Sequence, residues 1–134
     1  MIENRKRFNQ FIDYSGLMFG SIHPTDSDGE IEYHDKAWIF FEIKYREKFL
    51  PYGQQLALER KVNDIQKSGK ETVLFVAQHD VENPEIDVDA AACIVRRIFY
   101  KGNWFDGDGA TLKAYVSRFI RYIDSPPEFI QKSA

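Results

Sequence analysis

The chain is poor in the residues that build several familiar kinds of site. It has one cysteine, Cys93, so no internal disulfide can form, and a lone thiol suits a reducing cytoplasm. No apolar run approaches the roughly 20 residues that cross a bilayer, so no membrane partner is expected. The opening MIENRKRFNQF carries basic residues without the apolar stretch and cleavage site of a secretory signal peptide. The three histidines, His23, His34 and His79, stand on different segments without metal-ligand spacing. They read as structural or solvated, and His23 is the one expected to approach the candidate site. Cations are not in excess: 18 Lys and Arg against 21 Asp and Glu give a net charge of −3. That balance does not announce a nucleic-acid binder, but a local basic patch beside an acidic metal site is compatible with it. There is no internal repeat and no low-complexity segment.

What is abundant is apolar and aromatic: 43% and 15% of 134 residues. This is enough for one packed core, read as a single domain over 1–124 with a tail over 125–134. Residues 2–15 have Phe8, Phe11 and Ile12 at helical spacing, with Gly16 as a stop. Leu17 to Ile22 is a short strand candidate, closed by Pro24. A hairpin follows over 28–34 and 37–45. Beyond Pro51-Tyr52-Gly53 a helix is expected over 53–67, with Leu58, Val62 and Ile65 as its stripe and Gly69 at its end. Thr72 to Ala77 is a nearly continuous apolar run, as in a central strand buried on both faces. Residues 80–89 form an acidic loop, and Ala92 to Tyr100 reads as a strand extending toward Trp104. Leu112, Tyr115, Val116, Phe119, Ile120 and Ile123 mark an amphipathic helix, capped by Asp108 or Thr111 and ended by Ser125-Pro126-Pro127. The expected order is helix, three strands, helix, two strands, helix: an α/β sandwich with helices flanking a central mixed sheet.

The hairpin carries the chemistry. Ile31 and Tyr33 alternate with polar neighbours, His34-Asp35-Lys36 breaks the pattern, and Trp38 to Phe41 opens an aromatic, β-branched strand. A turn centred on Asp35 pairs residues whose numbers sum to 70, so Asp28 faces Glu42. Opposed residues project from one face with Cβ atoms roughly 5 Å apart. Lys44, two residues beyond Glu42, points the same way. Two acids and a lysine on one spot are costly unless a cation or anion is bound. Phosphodiester hydrolysis needs charge stabilisation and an activated water. Mg²⁺ supplies both and is held by hard oxygen ligands. Asp28 and Glu42 are the candidate ligands, with the Ile43 carbonyl as a third oxygen. Lys44 would position or deprotonate the water, or neutralise developing charge.

A helix, strand and hairpin bearing Asp…Glu-x-Lys, then a helix and a central strand, resembles the PD-(D/E)xK nuclease superfamily over roughly residues 1–124. The string PTDSDG, the strand FFEIKY and the following GQQLALER are similar to small phage- and prophage-encoded members, grouped with resolvase-like and exonuclease-like nucleases. The resemblance implies a restriction-endonuclease-like αβββαββα core and a Mg²⁺-dependent deoxyribonuclease, with Mn²⁺ able to substitute. It also implies a helix glutamine beside the acids, a place that Gln54 or Gln55 fits. Asp28 follows Ser27 where the superfamily signature has proline, and Glu3 is the one candidate for an extra acid on the first helix.

Other residues compete with this site. Asp26 would oppose Lys44 on the same register and is the lesser candidate, read as a turn residue. Glu30 lies on the metal-facing side, solvated or in an outer role. Asp106-Gly107-Asp108-Gly109 looks like the start of a calcium loop, but its twelfth position is Ser117, so it reads as a turn. Arg96, Arg97 and Lys101 interleave with Tyr100 and Trp104, Arg118 and Arg121 lie on the last helix, and Arg46 and Lys48 extend the site strand. These are the candidate DNA-binding residues, gripping phosphates and stacking bases. A chain of this length has no room for a separate recognition domain, so structure-directed cutting of branched or single-stranded DNA is expected over sequence-specific cutting. A symmetric homodimer would address two strands. The competing functions are a silent nuclease-fold module that binds nucleic acid, and a phage-encoded protein that binds a host factor.

Overall fold

The structure is a computed structural model and describes residues 13–21, 24 and 28–125. Its strands are β1 (Gly29–Tyr33), β2 (Ala37–Tyr45), β3 (Glu71–His79), β4 (Ile94–Tyr100) and β5 (Asn103–Asp106). Its helices are α1 (Tyr52–Lys67) and α2 (Leu112–Asp124). The strands form one sheet in the order β1-β2-β3-β4-β5. Three of the pairings are antiparallel, and β2 with β3 is parallel. A parallel pair needs a crossover, and α1 supplies it. The result is an α+β fold, a five-stranded mixed sheet with one helix on each face.

The faces follow from strand alternation. Ala37 and Ile39 of β2, Val73, Phe75 and Ala77 of β3, and Val95, Ile98 and Tyr100 of β4 pack on one face, under Leu112, Tyr115 and Phe119 of α2. The alternate residues Phe40, Leu74, Val76 and Phe99 pack on the other face, with Leu50 and with Leu58 and Val62 of α1. Residues Thr72 to Ala77 are buried on both faces, which is why that stretch is apolar without alternation. Thr111 caps α2, its side chain accepting from the Ala114 N–H at 3.2 Å. Asp108 accepts instead from the Ala110 N–H and from Arg118, so the aspartate–glycine stretch is a turn. Gly69, with φ of +102°, turns the chain out of α1.

Three sequence expectations change. The first helix expected over 2–15 lies mostly outside the described residues, and its end is not helical. Asp13 accepts from the Ser15 N–H and a 3₁₀ turn covers Ser15–Leu17. The strand expected over Leu17 to Ile22 is not formed among the described residues, because that turn takes its first residue and Gly20, with φ of +64°, turns the chain again. The strand expected to run on toward Trp104 instead reverses at Lys101-Gly102, whose φ values are +49° and +80°. This is the backbone of a primed two-residue hairpin turn, and β5 returns beside β4 with Phe99 opposite Trp104.

In the first hairpin, His34 and Asp35 both have positive φ and Lys36 N–H donates to Tyr33 at 2.8 Å. The register is Gly29 opposite Phe41 through Tyr33 opposite Ala37. Gly29 leaves room for its cross-strand partner, since a Cβ there would lie 2.2 Å from the outer atoms of the Phe41 ring, which would have to shift. Overpacking of this kind costs about 1–3 kcal/mol. Gly29→Ala should therefore lower the thermal midpoint by several degrees. The Gly29→Ala, Phe41→Leu double variant should lose less than the sum of the two single changes, as read by a double-mutant cycle.

Candidate active site

The register continues one residue past β1, and Asp28 meets the end of β2. Its backbone N–H donates to Glu42 Oε2 at 2.9 Å. Its own carboxylate, through Oδ2, accepts the Ile43 N–H at 2.6 Å. The two acids are thus locked by reciprocal bonds, each to the other strand's backbone. A residue's N–H and C=O point to the same side of a strand, so the Ile43 carbonyl opens toward Asp28 as well. The Ile43 side chain packs on the opposite, α2 face and anchors the strand end.

α1 completes the group from above. Its first turn brings Gln54 over the strand end, where Nε2 donates to Glu42 Oε1 at 2.7 Å. Lys44 Nζ reaches Gln54 Oε1 at 3.4 Å and has no carboxylate partner among the described residues. Gln55 faces Glu59 instead and takes no part. Asp28, Glu42, Lys44 and Gln54 therefore meet in one place, from three elements.

Glu42 is the unusual member. Only 1% of it is exposed, at the end of a strand otherwise filled by Phe40 and Ile39. Burial pushes its carboxyl up to about 7. The nearby Asp28 charge adds to this, while the Asp28 N–H bond and the Lys44 ammonium oppose it. Asp28 is exposed, so the pair opens to water on one side. This donor set fits a hard divalent cation: two carboxylates with spare lone pairs and a carbonyl on the same side. Among the described residues no third acid, histidine or cysteine gathers with them. A cation there would keep several waters, as Mg²⁺ does.

Protein-family models, curated proteins and solved structures give no match to this chain. The site is therefore read from its own geometry.

The cations proposed for DNA divide sharply. Arg97 stands on the α1 face in the same transverse row as Glu42, with Val76 between them. Its guanidinium lies 4.4 Å from the Trp104 ring centroid and 5.2 Å from that of Phe49. Lys48 is exposed in the segment leading into α1 and has no partner among the described residues. Arg46 is held by Asp80 and Glu82 at 3.3 and 2.6 Å. Arg96 donates to Gln78. Lys101 pairs with Glu71 at the far end of the sheet. Arg118 pairs with Asp108 on α2, and Arg121 lies in the last turn of that helix, across the sheet from Glu42. Arg97 thus stands in the row of the site and Lys48 on the segment between Lys44 and Gln54, whereas Lys101, Arg118 and Arg121 lie elsewhere. Glu30 is paired with Lys61 at 3.6 Å. His34 stacks on Tyr33, and His79 accepts the Val81 N–H, both structural placements. Glu3, His23 and Asp26 lie outside the described residues.

Phe49 is the residue that sequence reading passed over. Its signal was a large aromatic directly after Lys48, in a segment with no strand or helix pattern to bury it.

The raised Glu42 acid has a measurable consequence. Its folded pKa, about 7, lies above the ordinary 4.5, so the folded chain holds a proton that the unfolded chain has released between those values. Metal-free stability should therefore fall as pH rises through that window. The difference corresponds to roughly 3 kcal/mol between pH 5 and pH 8. Denaturant titration of the metal-free wild type against Glu42→Gln should show the wild type losing that much relative to the variant. A pH-independent difference would contradict the burial argument.

Proposed function

We propose that this chain is a metal-dependent deoxyribonuclease of the PD-(D/E)xK type, hydrolysing DNA phosphodiester bonds. The observation that carries this reading is the interlocked pair Asp28 and Glu42, with Lys44 and Gln54 closing on the same point. Further support comes from the order of elements. A hairpin ending in Glu-x-Lys, a crossover helix and a parallel central strand follow one another, an order that supports a restriction-endonuclease-like core. A solvated ion pair would not place one acid at 1% exposure, since a buried charge without a partner is strongly disfavoured.

A bound divalent cation such as Mg²⁺, or Mn²⁺ in its place, neutralises charge on the phosphodiester and activates water. The chain's own groups do the rest. Asp28 and Glu42 present oxygens from two strands whose spacing the hairpin fixes, so the holding geometry exists before substrate arrives. Gln54 ties Glu42 to Lys44 and keeps the ammonium from collapsing onto the carboxylates. Lys44 is then free to orient the attacking water or to offset charge that develops on the phosphate oxygens. Branched or single-stranded DNA is the substrate class, and a homodimer would let two sites address two strands.

Asp28→Ala, Glu42→Ala and Lys44→Ala should each reduce Mg²⁺-dependent cleavage at least 100-fold, on the order of the loss seen when one preorganised group is removed. Gln54→Ala should cost less, about tenfold, because it positions and does not ligate. A gel assay over linear duplex, single-strand, flap and four-way-junction DNA, with EDTA as the blank, reads both the activity and its preference. An Asp28→Ala, Glu42→Ala double variant that cuts as fast as wild type would overturn the assignment.

A further inference from the structure

Phe49 is 61% exposed, yet it is held in a defined position. The Arg97 guanidinium carbon lies 5.2 Å from the Phe49 ring centroid and 4.4 Å from that of Trp104, so one cation joins the two aromatics. Trp104 is itself fastened, packing against Phe99 and donating Nε1–H to Glu59 at 2.6 Å. Phe49 also lines an open depression of about 610 Å³ formed by Arg46 through Pro51, the segment that joins Lys44 to Gln54. Arg97 and Lys48 have no carboxylate partner among the described residues. Arg46, Lys61, Lys70, Lys101 and Arg118 are by contrast taken up in ion pairs.

The position is fixed by register. Arg97, Val76 and Glu42 lie in one row across β4, β3 and β2. Two strand spacings put Arg97 about 10 Å from Glu42, on the same face. That placement depends on a bulge. Val76 pairs with Arg97 but Ala77 pairs with Val95, so Arg96 is an extra residue in β4. Without it, strand alternation would send Arg97 to the α2 face with Val95.

We infer that the Phe49–Arg97–Trp104 group, with Lys48, is a docking platform that feeds unpaired nucleotides of single-stranded DNA to the Asp28–Glu42 site. This rests on the nuclease reading and narrows its substrate class to single strands. An open ring face takes an unstacked base whatever its identity, whereas bases inside a duplex are already stacked and offer no face. The guanidinium beside the ring supplies N–H donors for the adjoining phosphate. Stacking and phosphate contact so combined are the recognition pattern of a single strand, and a purely apolar partner would have no use for Arg97 and Lys48.

The test is equilibrium binding by fluorescence anisotropy with the full chain in EDTA, using labelled oligo(dT) and a blunt duplex of equal length. Wild type should bind oligo(dT) more tightly than duplex. Phe49→Ala should weaken oligo(dT) binding about tenfold and duplex binding less than twofold, while Phe49→Trp should bind like wild type. Arg97→Gln should lower the salt slope of oligo(dT) binding by about one. Since Phe49 is mostly exposed, its truncation leaves the fold intact, which an unchanged thermal midpoint verifies. Equal loss for both DNAs, no loss with Phe49→Ala, or a wild-type preference for duplex would each overturn the platform. Because no metal is present, these results are independent of cleavage. Phe49-dependent binding without any metal-dependent cutting would sink the nuclease reading alone, and cutting without Phe49-dependent binding would sink the platform alone.

Discussion

A carboxylate with almost no contact with water, set at the end of an aromatic strand, is the constraint around which this molecule is arranged. Glu42 cannot be ionised there without compensation, and its neighbours answer that need in part, with the Asp28 charge working against them. The Asp28 N–H and the Gln54 amide each occupy one of its oxygens. Lys44 supplies positive charge without closing an ion pair on it. The compensation remains incomplete, which leaves the acid near neutrality in its protonation balance and receptive to a further positive charge.

That constraint explains features of the fold which packing alone does not. α1 must begin where it does because its first turn has to deliver Gln54 to Glu42, while the rest of the helix covers Phe40, Leu74 and Val76. The hairpin must be tight enough for Asp28 to reach across, and Gly29 permits this by leaving room for the Phe41 ring. The parallel step from β2 to β3 puts the site strand next to the most completely buried strand of the sheet. A rigid scaffold thus backs the two acids, and only the Asp28 side faces water.

Much of this was legible in the sequence because short-range rules governed it. The turn at Asp35 set the hairpin register, and with it the opposition of Asp28 and Glu42, since a period of two leaves no latitude once the turn is placed. The stripe of α2 and the uniform burial of β3 were legible for the same reason. The β4–β5 hairpin was not, because Lys101 at positive φ gives no glycine-like warning and only Gly102 marked the turn. Nor was the fate of the cations. Arg46 and Arg118 read as free hands for phosphate until Asp80, Glu82 and Asp108, from other segments, were found holding them. Pairings between distant segments have no local signature, so the functional charges could not be sorted from the structural ones by sequence.

The bulge at Arg96 bears on more than one side chain. A strand in the middle of a sheet answers to two layers at once, and strict alternation ties what it offers to one layer to what it offers the other. The extra residue cuts that tie halfway along β4. Its two ends can present their apolar sets to α2 in phase, as Val95 and Ile98 do, although three positions separate them. On the opposite layer the same offset leaves a polar position free at the level of the acids. The core beneath α2 and the surface around Glu42 can therefore vary in sequence almost independently, so that what this face grips is open to change without repacking the protein.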